Sequence, residues 1–225
     1  MKVERYGVSL YRIRKEDIET VRNWRNSESV RNNMLYQNYI TPAMQQKWFE
    51  SINTPKHSYY IIEYNNEKVG LINIKNSGSN KKPIESGLFI GNLKYANSHI
   101  PVISSIILLD TGFYIFPARI SYAKVKKDNK PAIKYNESLG YFIYEEKKDY
   151  LIMAITKESY EEKTIKLKQA IIKMFGNDPL KFYLTPDDYL NGVADWYMPF
   201  INKIPDELIM EKKVQDNSLY LVFNI

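Results

Sequence analysis

The chain contains no cysteine, only two histidines and no uninterrupted apolar run of membrane-spanning length, and each absence removes a class of function. Without thiols there is no disulfide framework, no thiolate nucleophile and no cysteine-based zinc site, and His57 and His99 alone do not make a ligand cluster, so no metal centre is expected. The longest apolar stretch, Ile100 to Phe116, is broken by Ser104, Ser105 and Asp110 and is shorter than the roughly 20 residues a spanning helix requires. The opening residues MKVERYGVSL carry no signal-peptide core, which sets the expectation of a cytoplasmic protein with no membrane span. Dense basic runs are missing too. The closest grouping is Lys124, Lys126 and Lys127 among dispersed acids, which argues against nucleic acid as a partner.

What is present is enough for a globular core. At 225 residues, 44% hydrophobic and 14% aromatic, the chain can fill one domain and an appendage. The net charge of +6 is unevenly placed. Residues 1–157 hold 24 Lys/Arg against 15 Asp/Glu, a net +9, while residues 158–225 hold 8 against 11, a net −3. A basic main domain suits an anionic ligand such as a CoA or a nucleotide diphosphate. The division expected is a main domain over 1–157 and a C-terminal appendage over 158–225.

Periodicity gives the elements. Alternation predicts a strand from Val8 to Ile13, and Ile18, Val21 and Trp24 fall on one helical side over residues 16–26. Thr41-Pro42 reads as an N-cap followed by proline in the first turn, opening a helix that carries Met44, Trp48 and Ile52. Strands over 59–64 and 68–75 flank Asn65-Asn66-Glu67 and should form a hairpin. A strand near 85–90, a helix over 101–115, a strand over 119–125, a helix over 131–139 and strands over 141–144 and 150–156 follow. That order is α+β with a mixed sheet.

One segment carries a recognisable pattern. ESGLFIG at 85–91, the apolar helix after it, ARISYAKV at 118–125, Asn129-x-x-Ala132-Ile133 and Leu139-Gly140-Tyr141 together resemble the acyl-CoA-binding half of the GNAT-type N-acyltransferases. Upstream, Trp24-Arg25-Asn26, Val30-Arg31, Met34, Ile40-Thr41, Lys47-Trp48-Phe49 and Val69-Gly70-Leu71-Ile72-Asn73 are similar to the N-acetyltransferases of nucleotide-linked 4-amino-4,6-dideoxy sugars in the pseudaminic acid pathway, with Gln45 where that pattern often has histidine. The resemblance covers about residues 8–157 and implies a GNAT-like mixed, mostly antiparallel sheet flanked by helices; the residues after it, read on their own pattern, should add a small C-terminal α/β appendage.

The same resemblance implies a site. Acetyl-CoA would be the co-substrate, its pantetheine arm lying along the backbone of Gly87, Leu88, Phe89 and Ile90 and beside Asn129, and its pyrophosphate at Ser98, His99 and Ile100. Glycine normally lets such a loop approach phosphate and helix N–H groups receive it. Here the loop reads Ala96-Asn97-Ser98-His99-Ile100-Pro101: the leading cation and both small residues are replaced, and His99 would bring a ring to the phosphate position. Glu85 is the candidate base, directly or through water, and Tyr135 stands one residue before Asn136, which occupies the family's usual tyrosine-acid position. Arg31, Met34 and Tyr39 are candidates for contacting the acceptor, a small-molecule amine or amino sugar. Asn129 also fits an N-cap two residues before Pro131. Two readings stay open: direct acetyl transfer, or a GNAT-derived binding module without transferase activity.

For the C-terminal segment, helices over 160–175 and 186–201 and a hairpin from 207–213 to 218–225 are expected. Its aromatics Tyr183, Tyr189, Trp196, Tyr197 and Phe200 could serve a homodimer contact, cover the acceptor cleft, or form a small core of their own; the last is the expectation.

Overall fold

Tight two-residue turns organise the strands. In the computed structural model, which describes residues 1–77, 83–116 and 118–225, β1 (Lys2–Arg5) joins β2 (Val8–Arg12) through Tyr6 and Gly7 at φ of 54° and 74°. Two consecutive positive-φ residues match the right-handed twist of paired strands. The same device, Asn65-Asn66 at 51° and 61°, links β3 (Ser58–Tyr64) to β4 (Glu67–Lys75). The hairpin at 59–75 was predicted; β1 was not, because four residues offer too little alternation to read.

Between them lie α1 (Ile18–Asn26), α2 (Glu28–Arg31) and α3 (Pro42–Ile52). Thr41 caps α3 as expected, its Oγ1 accepting from the Met44 N–H at 3.3 Å. The buried face of α3 differs from the prediction: Gln45, Phe49 and Ile52 point inward, whereas Met44 is exposed. Ile18, Val21, Phe49 and Ile52 pack on Tyr59, Ile61 and Leu71, so α1 and α3 cover one face of the sheet.

Next come β5 (Glu85–Ile90), α4 (Ile100–Asp110), β6 (Ile120–Lys126), α5 (Lys130–Ser138), β7 (Phe142–Glu146) and β8 (Tyr150–Thr156). Helix α4 is buried at every position except Val102. Ile100, Ile103, Ile106 and Ile107 fill the face of the sheet opposite α1 and α3. Each such side chain contributes about 1.5–3 kcal/mol on leaving water, which makes α4 the central prop of that layer.

The chain ends with α6 (Lys157–Phe175), β9 (Leu180–Leu184), α7 (Pro186–Leu190), α8 (Val193–Ile201), β10 (Ile209–Gln215) and β11 (Ser218–Phe223). The strands form one sheet in the order β10-β11-β9-β1-β2-β3-β4-β5-β6-β8-β7. Every neighbouring pair is antiparallel except β5 and β6. The fold is therefore α+β, with a mixed, mostly antiparallel sheet flanked by helices.

Three features of the C-terminal segment correct the sequence reading. Strand β9 was missed, although Leu180, Phe182 and Leu184 alternate inward against Lys181 and Tyr183. The helix expected over 186–201 is two, since Gly192 takes φ 68° before α8 and turns the chain. The segment also has no separate core: Leu180, Phe182, Tyr197, Leu221 and Phe223 join Val3, Leu10, Ile103 and Ile107 in one cluster. Pairing of β9 with β1 is the cause, because it extends the main sheet and merges the two apolar faces.

A buried charge cluster ties the segments together as well. Asp110, fully enclosed at the end of α4, accepts from Arg5 Nη1 at 3.1 Å, Lys168 Nζ at 2.6 Å and Tyr160 Oη at 2.7 Å. Two of those donors lie on α6. Among the described residues, no helix is long and apolar enough to cross a membrane.

Candidate active site

The parallel junction of β5 and β6 is the opening in an otherwise fully paired sheet. Strand β5 is paired with β4 along its whole length, from Lys75 opposite Glu85 to Gly70 opposite Ile90. Against β6 it makes one register pair, Glu85 with Tyr122, supported by the Tyr122 N–H donating to the Ile84 carbonyl at 2.9 Å. Beyond that pair, the flank of β5 from Ser86 to Ile90 has no ladder on the β6 side. Backbone N–H and C=O groups left half-buried in this way need partners. Gly87, Leu88, Phe89 and Ile90 make up that stretch, alternate residues turning their backbone N–H and C=O to the open side.

Hydroxyl groups close the base of the junction. Ser86 Oγ receives the Tyr141 phenol at 2.7 Å and the Ser121 hydroxyl at 3.2 Å, and donates to the Tyr122 carbonyl at 3.4 Å. Burial pushes the Tyr141 phenol up to about 12, so it stays a neutral donor.

Glu85 sits at the same junction on the other face. Its carboxylate binds Lys124 Nζ at 2.7 Å and Lys75 Nζ at 2.8 Å. Partial burial by itself would raise the carboxyl, but the bonds and charges of Lys124 and Lys75 prevail and hold it below the ordinary range. It is thus a firmly ionised group, and a weaker base than an unpaired carboxylate.

Strand alternation sends Glu85, Gly87 and Phe89 toward the side of the sheet that α1 and α3 cover. Trp24 meets Phe89 edge-on with centroids 6.4 Å apart, and Trp48 meets Tyr59 at 5.2 Å. Glycine at 91 is required by this packing, because a Cβ there would lie 2.1 Å from Trp24 Cδ2. On the same face, Arg25 Nε, Gln45 Nε2 and Asn73 Nδ2 are enclosed without a hydrogen-bond partner among the described residues. Burial lowers the Arg25 guanidinium from its ordinary value, with Tyr59 and Tyr36 opposing. Unpaired enclosed donors cost about 1–3 kcal/mol each, and these three come from α1, α3 and β4. Sequence periodicity pointed to Trp24 and Trp48 as packing residues; it gave no sign of Arg25, Gln45 and Asn73 as a set, because they come from three separate elements. Arg31 ends α2 and Met34 follows it, both half-buried, and Tyr39 is exposed, its hydroxyl accepting from Arg22 Nη1 at 3.3 Å.

The loop before α4 is capped by its own serine. Ser98 Oγ donates to the Tyr95 carbonyl at 2.7 Å and accepts from the Ile100 N–H at 3.2 Å. His99 differs from the sequence reading. Its ring turns into an aromatic group, 5.7 Å from Tyr64 and 5.0 Å from Phe175 by centroids, rather than across the loop's mouth. Helix α6, which supplies Phe175, is the reason, since it offers an apolar wall to the imidazole. Lys94, the cation nearest in sequence, is committed to Glu67 at 2.7 Å.

Tyr135 and Asn129 are both held by local bonds. The Tyr135 phenol donates to the Pro101 carbonyl at 2.7 Å and accepts from Ser105 Oγ at 2.7 Å, and burial raises it well above its ordinary value. Asn129 Oδ1 accepts from the Ala132 N–H at 3.1 Å, the N-cap geometry, leaving its Nδ2 to other partners. Asn136 Nδ2 rests against Met153 Sδ at 3.8 Å.

No family model matches the sequence, and no curated protein matches it. Solved structures do. A nucleotide-linked sugar GNAT, FdhC, superposes with a TM-score of 0.63 at 18% identity, over 75% of this chain and 97% of that one. Spermidine N-acetyltransferase from Vibrio cholerae, in complex with CoA and spermine, superposes with a TM-score of 0.62 at 15% identity, over 69% and 99%. A domain from Methanocaldococcus jannaschii superposes with a TM-score of 0.59 at 22% identity, over 66% and 97%. The one parallel strand pair, the helix that follows β5 and the breadth of these superpositions lead to one conclusion: the chain has the fold of the GNAT acetyltransferases.

Proposed function

We propose that the protein is an acetyl-CoA-dependent N-acetyltransferase that modifies a small amine, with an amino sugar, nucleotide-linked or free, as the favoured acceptor. The observation that carries the reading is the unpaired flank of β5 beside β6, a row of backbone groups of the kind that bonds pantetheine amides. The fold neighbour crystallised with CoA and the net +9 of residues 1–157 support the same donor.

In this account the backbone from Gly87 to Ile90 receives the pantetheine arm and Asn129 Nδ2 donates to it, while Oδ1 keeps its capping bond. The pyrophosphate lies at Ser98, His99 and Ile100, at the positive end of the α4 dipole, although the Ile100 N–H is taken by Ser98 Oγ and Pro101 has none. With Ala96 and Pro101 in the loop, affinity rests on backbone and helix rather than on a cation. The acceptor enters from the α1 and α3 face, against Arg31, Met34 and Tyr39 and the enclosed donors of Arg25, Gln45 and Asn73. Its amine attacks the thioester carbonyl carbon, the tetrahedral adduct collapses, and the C–S bond breaks to release the CoA thiolate. The amine's proton passes through water to Glu85, and the thiolate takes a proton from Tyr135 or from solvent. The sugar preference is supported by the Trp24-Arg25-Asn26 region and by the likeness to FdhC.

A second reading, a ligand-binding module without transfer, draws on two observations. Tyr135 already gives its proton to Pro101, and Glu85 is held ionised by two lysines. Thiol release from acetyl-CoA, measured over a panel of nucleotide-linked amino sugars, polyamines and aminoglycosides, separates the two. Acceptor-dependent release with one class supports transfer; a protein that binds acetyl-CoA yet releases no CoA with any amine is a binding module.

A further inference from the structure

On the sheet face opposite α1 and α3, beneath the end of α4, lies a cavity of about 600 Å³. That is within the ordinary range of small-molecule sites, and the cavity is open to solvent on the side of the exposed Arg119. Its floor is sheet, with Tyr60, Ile74 and Ile120 among its residues, and its roof is α4 together with Trp196, Tyr197 and Phe200 of α8. Phe116 anchors the roof, with ring centroids 4.8 Å from Tyr197 and 6.1 Å from Phe200. The C-terminal segment therefore builds a wall of this cavity.

The polar groups on the wall fall into two sets. Hydroxyls are already paired: Ser58 with Tyr197 at 2.5 Å, Ser86 with Tyr141 at 2.7 Å, Ser121 with Ser86 at 3.2 Å, and Thr111 with the Ile107 carbonyl at 2.6 Å. Two groups are not. The Arg119 guanidinium is exposed at the cavity with no hydrogen bond or ion pair among the described residues. The Trp196 indole N–H is enclosed with no acceptor among the described residues. Both are donors only, since neither guanidinium nor indole N–H can accept. A ligand that satisfies the guanidinium must present acceptors at its head and an apolar body to the rest of the lining.

We propose that this cavity binds a small organic monocarboxylate with an aliphatic or aryl body. The carboxylate meets Arg119, while the body lies among Tyr60, Phe116, Trp196, Tyr197 and Phe200. The inference does not rest on acyl transfer, because the cavity lies on the opposite face of the sheet from Glu85 and needs no CoA.

Tryptophan fluorescence of the whole chain, titrated with octanoate and with octan-1-ol as its neutral counterpart, tests the assignment. Octanoate should give a saturable change that is absent in Trp196→Phe, with Trp24 and Trp48 still reporting an intact fold. Arg119→Ala and octan-1-ol should each weaken binding about tenfold or more, the loss expected for a charge-assisted contact. Isothermal titration of Trp196→Phe provides a readout independent of its fluorescence. No saturable response of the wild type at millimolar octanoate overturns the site. Equal affinities for octanoate and octan-1-ol, or for wild type and Arg119→Ala, overturn the carboxylate assignment.

Discussion

Glu85 and Lys124 face each other across the single register pair that joins β5 to β6, their charged atoms 2.7 Å apart. The pair, completed by Lys75, pins the point from which the two strands part company. Because the Glu85 carboxyl is depressed, its stabilising contribution is present above the unfolded value near 4.5 and is lost as the pH falls through the lower folded value. Glu85→Gln should cost about 1 kcal/mol at pH 7. Urea unfolding of both proteins from pH 7 downward should show the gap closing below about pH 4.

Asp110→Asn should be far more damaging, because it leaves the Arg5 and Lys168 charges without their shared partner. A loss of about 3–5 kcal/mol is expected. It should appear as a shift of one cooperative unfolding transition, since Asp110 joins residues from both ends of the chain. Two resolved transitions would contradict that coupling.

His99→Ala distinguishes a packed ring from an obstructing one. With the imidazole between Tyr64 and Phe175, the variant should lose about 0.5–1.5 kcal/mol in thermal or urea unfolding. Its acetyl-CoA affinity, measured by titration calorimetry, should stay near that of the wild type. A clear gain in affinity would return the ring to the loop's mouth.

Gly91→Ala tests the close approach of α1 to the end of β5. An added Cβ 2.1 Å from the Trp24 ring forces that ring to move, and overpacking of this kind costs about 1–3 kcal/mol. Thermal unfolding should show the loss, and the Trp24 fluorescence should change with it.

Much of the stretch from residue 8 to 156 was legible in the sequence. Thr41-Pro42, Asn65-Asn66 and Asn129 are local signals whose geometry is set within a few residues, and each does in the structure what its chemistry dictates. What escaped was non-local. Strand β9 is recognisable only once β1 offers it an edge, and α8 finds its role by packing on Phe116, some eighty residues earlier in the chain. The direction of the His99 ring was hidden for the same reason, as Phe175 reaches it from another helix. Arg25, Gln45 and Asn73 are unremarkable in sequence, and their common unpaired state exists only after α1, α3 and β4 come together.

The central claim is that the open flank of β5 and the start of α4 still hold an acyl-CoA although the loop between them lacks its glycines. Isothermal titration of the full chain with acetyl-CoA tests it most directly. Saturable one-to-one binding in the micromolar range is the predicted result; no detectable heat at millimolar acetyl-CoA would contradict it.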